Sequence, residues 1–292
     1  MGKYKVNDLV DVVRRYNSKA EDNGRYLSFN HCYNYFNKNY KTKVEYVKNL
    51  MTLYFYAYMA SWGMLRNSFL LYKDYLFNKP IIELLCKEKK DMVKNNKSML
   101  SPEAIINLKE SIIKKYKYKN DDENSPNIYY KEEKEKKVDP KQPDTLVSKI
   151  ILGTLGILPA YDTFFKFSAG RMGICQSISK NGINQLNDFY KHNKDDVDFM
   201  CAECGYPPMK IIDMYFWQKA YECSTLCRII DIINDKKIDD NSKKNKMDKL
   251  IADKNENQLL GLEISKPYDL DDIRKKCEDT IKEYYENAMV NN

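Results

Sequence analysis

Apolar residues recur along most of the chain at the three- and four-residue spacing of an α-helix. Near the N-terminus, Val6, Leu9 and Val13 have this spacing, which places their side chains on one helix face. The 292 residues include only 10 Gly and 9 Pro, whereas sandwiches and barrels need many tight turns. The pattern therefore predicts an all-α protein, a multi-helix globular bundle. Its predicted helices include residues 6–16, 31–36, 44–75, 80–86, 102–116, 146–158, 183–190, 207–234 and 269–288.

Three of these helices begin with residues that suit a helix N-terminus. Asn78 stands shortly before Pro80, and a proline in the first turn removes no helical hydrogen bond. Ser101 directly precedes Pro102, so its hydroxyl can accept a hydrogen bond from a free amide of the first turn. Asp269 is placed in the same way before the last apolar stripe.

Two charged stretches interrupt the helical pattern. Residues 117–144 are rich in Lys, Glu, Asp and Asn, contain prolines and have almost no aliphatic side chains. A segment of this composition has too little apolar surface to fold by itself, so it is predicted to be a charged, partly disordered insertion or linker. Residues 235–255 are predicted to form a polar loop or helix. The helical segments are predicted to form one domain over residues 1–292.

The longest run without a charge covers residues 50–65 and ends at Arg66. A membrane-spanning helix needs roughly 20 apolar residues, and this run is shorter and contains three tyrosines. It is therefore predicted to be the central core helix. The first residues lack an apolar stretch of signal-peptide length, and in a reducing compartment the eight cysteines are expected to be free thiols. These features predict a cytoplasmic protein that has no membrane partner.

The formal net charge of +7 makes an acidic partner such as nucleic acid conceivable. Residues 1–50 contain ten Lys and Arg against five Asp and Glu. Between residues 87 and 137 the many lysines are interleaved with acids, which is typical of a solvated surface of mixed charge. The charge pattern therefore favours ordinary surface, with a basic groove as the alternative.

Four cysteines have spacings that resemble a zinc site. Cys201 and Cys204 form a CxxC pair, and Cys223 and Cys227 follow it further along the chain. Two thiol pairs at about this separation are typical of a four-thiolate zinc site. The second pair is spaced CxxxC within an apolar helix, where two cysteines on one buried face have the same spacing. The alternatives are a zinc ion held by all four thiolates and a set of buried free thiols.

Arg25 and His31, in the segment RYLSFNH, resemble the short arginine–histidine pattern of HEPN ribonucleases. The resemblance implies that Arg25 stabilises phosphate charge and that His31 moves the proton of the attacking 2′-hydroxyl. The pattern lies early in this chain, whereas it lies late in the HEPN bundle. On one helix the two residues are about 120° apart, so they converge only across a bend or a partner subunit. A structural histidine is the alternative.

A polar cluster is predicted around the core helix. Asp162 and Asp213 are single acids among aromatic residues, and a buried acid must be paired or protonated. Arg25 and Arg66 are the cations expected to meet them. Arg66, Asp162 and Asp213 are thus the predicted binding residues, and a buried network that fixes helix packing is the alternative. For Arg66 a side chain that extends outward to solvent is equally compatible with the sequence.

Four segments together resemble a family of uncharacterised bacterial proteins. They are RYLSFNHCYNYF, YAYMASWGMLRNSFLLYKDY, LVSKIILGTLGILPAYDTFF and YPPMKIIDMYFWQKAY. The resemblance covers most of the chain outside residues 87–144. It implies an intracellular bacterial protein, and it implies no activity and no catalytic residues.

The common catalytic motifs are missing from the sequence, which has no Walker phosphate loop, no GxGxxG, no GxSxG and no HExxH. The leading hypothesis is a non-enzymatic helical interaction module that binds a protein or nucleic-acid partner and needs no cofactor. The alternative is a metal-independent, HEPN-like ribonuclease that uses Arg25 and His31.

Overall fold

The computed structural model describes residues 4–18, 24, 26–66, 68–97, 99–118, 143–252, 259–264 and 266–290. Over these residues the chain forms thirteen α-helices and no β-strand, which confirms the predicted all-α fold. None of the described helices is both long enough and apolar enough to cross a membrane. The helices are α1 (Leu9–Asn17), α2 (Leu27–Asn39), α3 (Glu45–Ser61), α4 (Lys79–Lys94), α5 (Pro102–Tyr118), α6 (Pro143–Thr154), α7 (Thr163–Arg171), α8 (Lys180–His192), α9 (Lys194–Cys204), α10 (Pro208–Glu222), α11 (Ser224–Asn234), α12 (Asp240–Ala252) and α13 (Leu270–Glu286).

The structure describes the three predicted helix starts and part of the two charged stretches. Ser101 and Asp269 cap α5 and α13 through their side chains, as predicted, whereas Asn78 precedes α4 without a capping hydrogen bond. Of the predicted insertion, residues 117–118 end α5 and residues 143–144 begin α6, and the remainder lies outside the described residues. The polar stretch near residue 240 forms α12, while 253–258 are not described.

Helix α10 is the centre of the bundle. All its side chains from Met209 to Ala220 are buried, because the helix is apolar on most faces and contacts α1, α7 and α9. The sequence predicted one continuous helix here, but the chain forms two. Cys223 separates α10 from α11, which packs instead against α12 and α13.

Helix α3 ends much earlier than the predicted boundary at residue 75. Gly63 has a φ of +76°, a left-handed conformation that side-chain-bearing residues rarely adopt. The amide of Met64 donates to the carbonyl of Met59 at 2.8 Å, and the amide of Gly63 donates to that of Ala60 at 3.0 Å. These two bonds form the Schellman motif that commonly ends a helix at glycine. Two 3₁₀ turns, Phe69–Tyr72 and Tyr75–Asn78, then lead to α4.

A fully buried lysine joins α10 to the N-terminal segment. The ammonium group of Lys219 donates to Oδ2 of Asp8 at 3.0 Å and to the carbonyl of Tyr284 at 3.1 Å. The hydroxyl of Tyr215 donates to the other oxygen of Asp8 at 2.9 Å. Burial lowers the pKa of Lys219, and the charge of Asp8 opposes that shift. This contact fixes α1 and α13 against the central helix.

Candidate interaction site

The two predicted acids, Asp162 and Asp213, lie in one buried polar network. Asp213 accepts a hydrogen bond from the ammonium group of Lys210 at 2.8 Å and another from the backbone amide of Ala160 at 2.9 Å. Asp213 and Lys210 are both almost completely buried. Because a buried charge must be paired and hydrogen-bonded, these contacts satisfy both groups.

Aromatic rings enclose the ammonium group of Lys210. It lies 5.0 to 5.2 Å from the ring centroids of Tyr16, Phe29 and Trp62. Such cation–π contacts stabilise a desolvated cation. Burial raises the pKa of Tyr16 well above its usual value, and the charge of Asp213 adds to the shift, so Tyr16 stays a neutral phenol here. The aromatic box is occupied by the protein's own lysine, which favours a structural role.

Asp162 caps α7 and approaches a second buried lysine. Its Oδ1 accepts a hydrogen bond from the amide of Phe165 at 3.0 Å, and its Oδ2 lies 4.0 Å from Nζ of Lys149. Lys149 in turn donates to the carbonyl of Trp62 at 2.9 Å, at the end of α3. Burial raises the pKa of Asp162, and Lys149 opposes the shift. The network therefore connects α3, α6, α7 and α10.

Of the two predicted cations, Arg66 does not meet these acids. Arg66 is exposed, because the turn at Gly63 directs the chain away from the core before Arg66 is reached. Arg25 lies outside the described residues. The partners are Lys149 and Lys210, which sequence reasoning missed. The sequence contained a signal for the pairing of Lys210 with Asp213, because the two residues are three positions apart on one helix face.

The four candidate zinc ligands do not form one site. Cys201 and Cys204 are on α9, Cys223 lies between α10 and α11, and Cys227 is on α11. Among the described residues, no three side chains of His, Cys, Asp or Glu are grouped as metal ligands. Burial is the main cause of a raised pKa for all four thiols. The geometry fits the alternative of partly buried free thiols.

His31 lies on the surface of α2. Its ring is exposed and its centroid lies 6.5 Å from that of Tyr54 on α3. Tyr35, one helical turn after His31, has its centroid 4.5 Å from that of Tyr54. These rings form a partly exposed aromatic strip along the junction of α2 and α3, in which Tyr35 is half-buried. Since Arg25 is not described, the predicted catalytic pair stays a prediction.

Helix α3 exposes an apolar face that the sequence had assigned to the core. One face is buried as predicted, with Met51, Phe55 and Tyr58 in the core. On the other face Tyr46 is 69% exposed and Leu53 is 45% exposed. After Glu45 at its start, every exposed residue of α3 is uncharged, and these are Tyr46, Leu53, Tyr54, Ala57 and Ala60. We call these five residues the α3 ridge.

Exposed lysines lie on the α2 side of the α3 ridge, and a separate basic surface lies between the start of α3 and α4. This second surface is a groove of about 320 Å³ that no residue of the α3 ridge lines. Its one α3 residue, Lys48, is two positions after Tyr46 and therefore projects from the opposite side of the helix. One of its lysines, Lys48, lies 3.7 Å from Glu83, the single acid in the lining. On the side of α2, Lys38 and Lys41 are exposed. The groove is lined by Thr42, Lys43, Lys48, Ile82, Glu83, Cys86, Lys87 and Lys90.

Comparisons with known proteins give no relative from which a site could be transferred. No family model matches the chain, and no curated protein or solved structure matches it significantly. The resemblance to a bacterial family therefore stays a prediction, and the functional argument depends on the residues themselves.

Proposed function

We propose that this protein is a non-enzymatic helical interaction module that binds an acidic, amphipathic helix of a partner protein on the α3 ridge. The observation that carries the proposal is the uncharged, solvent-facing side of α3. A helix that is apolar on all sides is normally buried, and a contiguous exposed apolar patch commonly marks an interface. The chain has 31% charged residues, so four helical turns without an exposed charge favour a partner that covers them.

The spacing along α3 supports a helical occupant. Tyr46, Leu53, Ala57 and Ala60, together with the half-buried Leu50, alternate in steps of three and four residues. Side chains spaced in this way form the ridge that packs into the groove of a second helix. The small side chains of Ala57 and Ala60 allow the backbone of that helix to approach closely.

Charge supports an acidic partner over the alternatives. On the α2 side, the exposed Lys38 lies about one helical turn after Tyr35, whose ring centroid is 4.5 Å from that of Tyr54 on the α3 ridge. Acids flanking the apolar stripe of the partner would be attracted to this side. Nucleic acid fits less well, because the ridge itself offers no cation to a phosphate. A second copy of the chain would place one basic flank against another.

The test compares aspartate substitutions of two exposed apolar residues, one on the α3 ridge and one elsewhere on the surface. Leu53→Asp places a charge on the α3 ridge, while Phe199→Asp changes a residue of α9 that is 52% exposed and far along the chain from α3. A photo-crosslinking amino acid in place of Tyr46 is expected to form a discrete adduct with a protein in extracts of the source cells. Leu53→Asp should reduce this adduct roughly tenfold or more, and Phe199→Asp should leave it unchanged.

Three results would contradict the proposal. The first is equal crosslinking by both variants, and the second is an adduct that is a dimer of the chain itself. The third is an adduct that contains nucleic acid, detected as absorbance at 260 nm and a shift in mass that nuclease treatment removes. The melting curves of both variants serve as the folding control.

A further inference from the structure

Lysines from two separate stretches of the sequence meet in the groove between α3 and α4. Lys43 precedes α3 and Lys48 lies near its start, whereas Lys87 and Lys90 are about one turn apart on α4. The groove has a volume of about 320 Å³, which is within the range of small-ligand sites. Basic residues that are far apart in the sequence therefore share one concave surface.

The charges of this lining are not balanced. Glu83 is the single acid among four lysines, and its carboxylate already lies 3.7 Å from Nζ of Lys48. Two further acids of α4, Glu88 and Asp91, are not part of the lining. Four lysines and one glutamate give the groove a formal charge of +3. Like charges on one surface repel each other, so a bound anion would stabilise this arrangement.

The floor of the groove is apolar, and its two helices are tied together. Ile82 is buried and Cys86 is half-buried in the lining. Glu45 at the start of α3 forms an ion pair with Lys79 at the start of α4. Unlike charges attract each other more strongly beside apolar surface than in bulk water. The lysines therefore project from fixed helices into a place where their charge is more effective.

Thr42 adds a neutral donor to the lining. Its amide donates to the carbonyl of Asn39 at 2.9 Å, which fixes the turn before α3. Its hydroxyl oxygen accepts from the amide of Val44 at 3.1 Å. A hydroxyl that accepts in this way can still donate its hydrogen to an oxygen atom of a ligand.

The chemistry of the lining favours a chain of linked phosphates. Lysine binds phosphate as a point charge, whereas planar recognition of a carboxylate relies mainly on arginine. Among the described residues, the lining includes no arginine, and no aromatic ring on which a nucleic-acid base could stack. One phosphate group carries a charge of about −1.5 to −2, which is smaller than the +3 of the lining. Two or more linked phosphates match this charge.

We propose that the groove between α3 and α4 binds the polyphosphate group of a small ligand, which is either a free polyphosphate chain or the phosphates of a nucleotide. Lys43, Lys87 and Lys90 pair with the phosphate oxygens. The hydroxyl of Thr42 donates to one of these oxygens. The site is separate from the α3 ridge and does not depend on the function proposed for it.

The test measures binding to the whole chain by isothermal titration calorimetry, at constant ionic strength and without divalent cations. We expect tripolyphosphate to bind at one site per chain. Orthophosphate should bind roughly tenfold or more weakly, because it carries less charge. ATP distinguishes the two sources of the group: binding no tighter than that of tripolyphosphate identifies a free chain, and tighter binding identifies a nucleotide.

A matched pair of double variants locates the site. Lys87→Gln/Lys90→Gln removes two exposed charges from the groove and should weaken the binding of tripolyphosphate roughly tenfold or more. Lys246→Gln/Lys275→Gln removes two exposed charges from α12 and α13 and should change it by less than about twofold. Thermal unfolding of both double variants serves as the folding control.

A second pair of variants tests the single acid. Glu83→Gln should tighten the binding of tripolyphosphate severalfold, whereas Glu278→Gln on α13 makes the same change of net charge and should not. The proposal is overturned by the absence of saturable tripolyphosphate binding, by equal affinity for orthophosphate, or by equal weakening in both double variants. Tighter binding of a short RNA or DNA than of tripolyphosphate in the groove would also overturn it, in favour of a nucleic-acid surface.

Discussion

The buried pair of Asp8 and Lys219 gives a prediction whose magnitude depends on pH. The side chain of Lys219 is 0% exposed, whereas that of Asp8 is 26% exposed. Asp8→Asn removes the negative charge and leaves the ammonium group in the core with a carbonyl and two aromatic rings. Removing one partner of a buried pair typically lowers the free energy of unfolding by about 3–5 kcal/mol.

The loss of stability has an upper limit, because the variant can also fold with Lys219 as a neutral amine. Deprotonating a lysine of ordinary pKa near 10.4 costs about 1.4 kcal/mol per pH unit, which is about 4.6 kcal/mol at pH 7 and about 1.9 kcal/mol at pH 9. Burial lowers the folded-state pKa of Lys219, and the charge of Asp8 opposes that shift. Asp8→Asn removes this opposition and lowers the pKa further, which widens the range below about 10.4 in which the unfolded chain binds more protons. The stability of Asp8→Asn should therefore rise more steeply with pH than that of the wild type.

The assay is denaturant unfolding of four proteins at pH 7 and pH 9. They are the wild type, Asp8→Asn, Lys219→Met and the double variant. Lys219→Met should cost less than about 2 kcal/mol, because water reaches Asp8 and the hydroxyl of Tyr215 still donates to it. The double variant should have a free energy of unfolding close to that of Lys219→Met. A loss below about 1 kcal/mol for Asp8→Asn, or a loss that does not shrink at pH 9, would refute this reasoning.

Further predictions concern the end of α3, the polar network and His31. Gly63→Ala should lower the free energy of unfolding by about 1–2 kcal/mol in the same assay through backbone strain alone, because an added Cβ meets no atom within 4 Å. Arg66→Ala should change the free energy of unfolding by less than about 0.5 kcal/mol. Asp213→Asn should lower it by about 3–5 kcal/mol, because Lys210 is left unpaired in the core. A larger loss in Arg66→Ala than in Asp213→Asn would show that Arg66 belongs to the network. For the interaction module, wild type and His31→Ala should cleave RNA at the same background rate without metal. Loss of a measurable cleavage in His31→Ala, with unfolding unchanged, would favour the ribonuclease hypothesis instead.

The apolar pattern predicted the fold class but could not say which side of α3 is covered. A stripe of spaced apolar residues identifies the buried face only when the opposite face is polar. In α10 every face is buried, while α3, which has fewer charged residues, buries Phe55 and exposes Leu53. The difference depends on which helices pack around each one, which a local pattern does not contain.

The polar network was predictable in its acids but not in its cations. Asp162 and Asp213 stand alone among aromatic residues, so burial and pairing followed from their surroundings. Arg66 was favoured as partner because it follows the apolar run. Arg66 lies outside the network for a local reason, because Gly63 in a left-handed conformation ends α3 before Arg66.

The buried network and the exposed α3 ridge belong to one physical arrangement. Lys149 donates to the carbonyl of Trp62 at the end of α3, and the indole of Trp62 donates to the hydroxyl of Ser28 on α2 at 3.1 Å. These directional bonds, unlike apolar packing, fix the rotation and position of α3. A ridge held in this way is already ordered, so a partner helix would lose little free energy in ordering it. The lysines buried in the core thus order the helix whose exposed leucine and tyrosine are proposed to bind the partner.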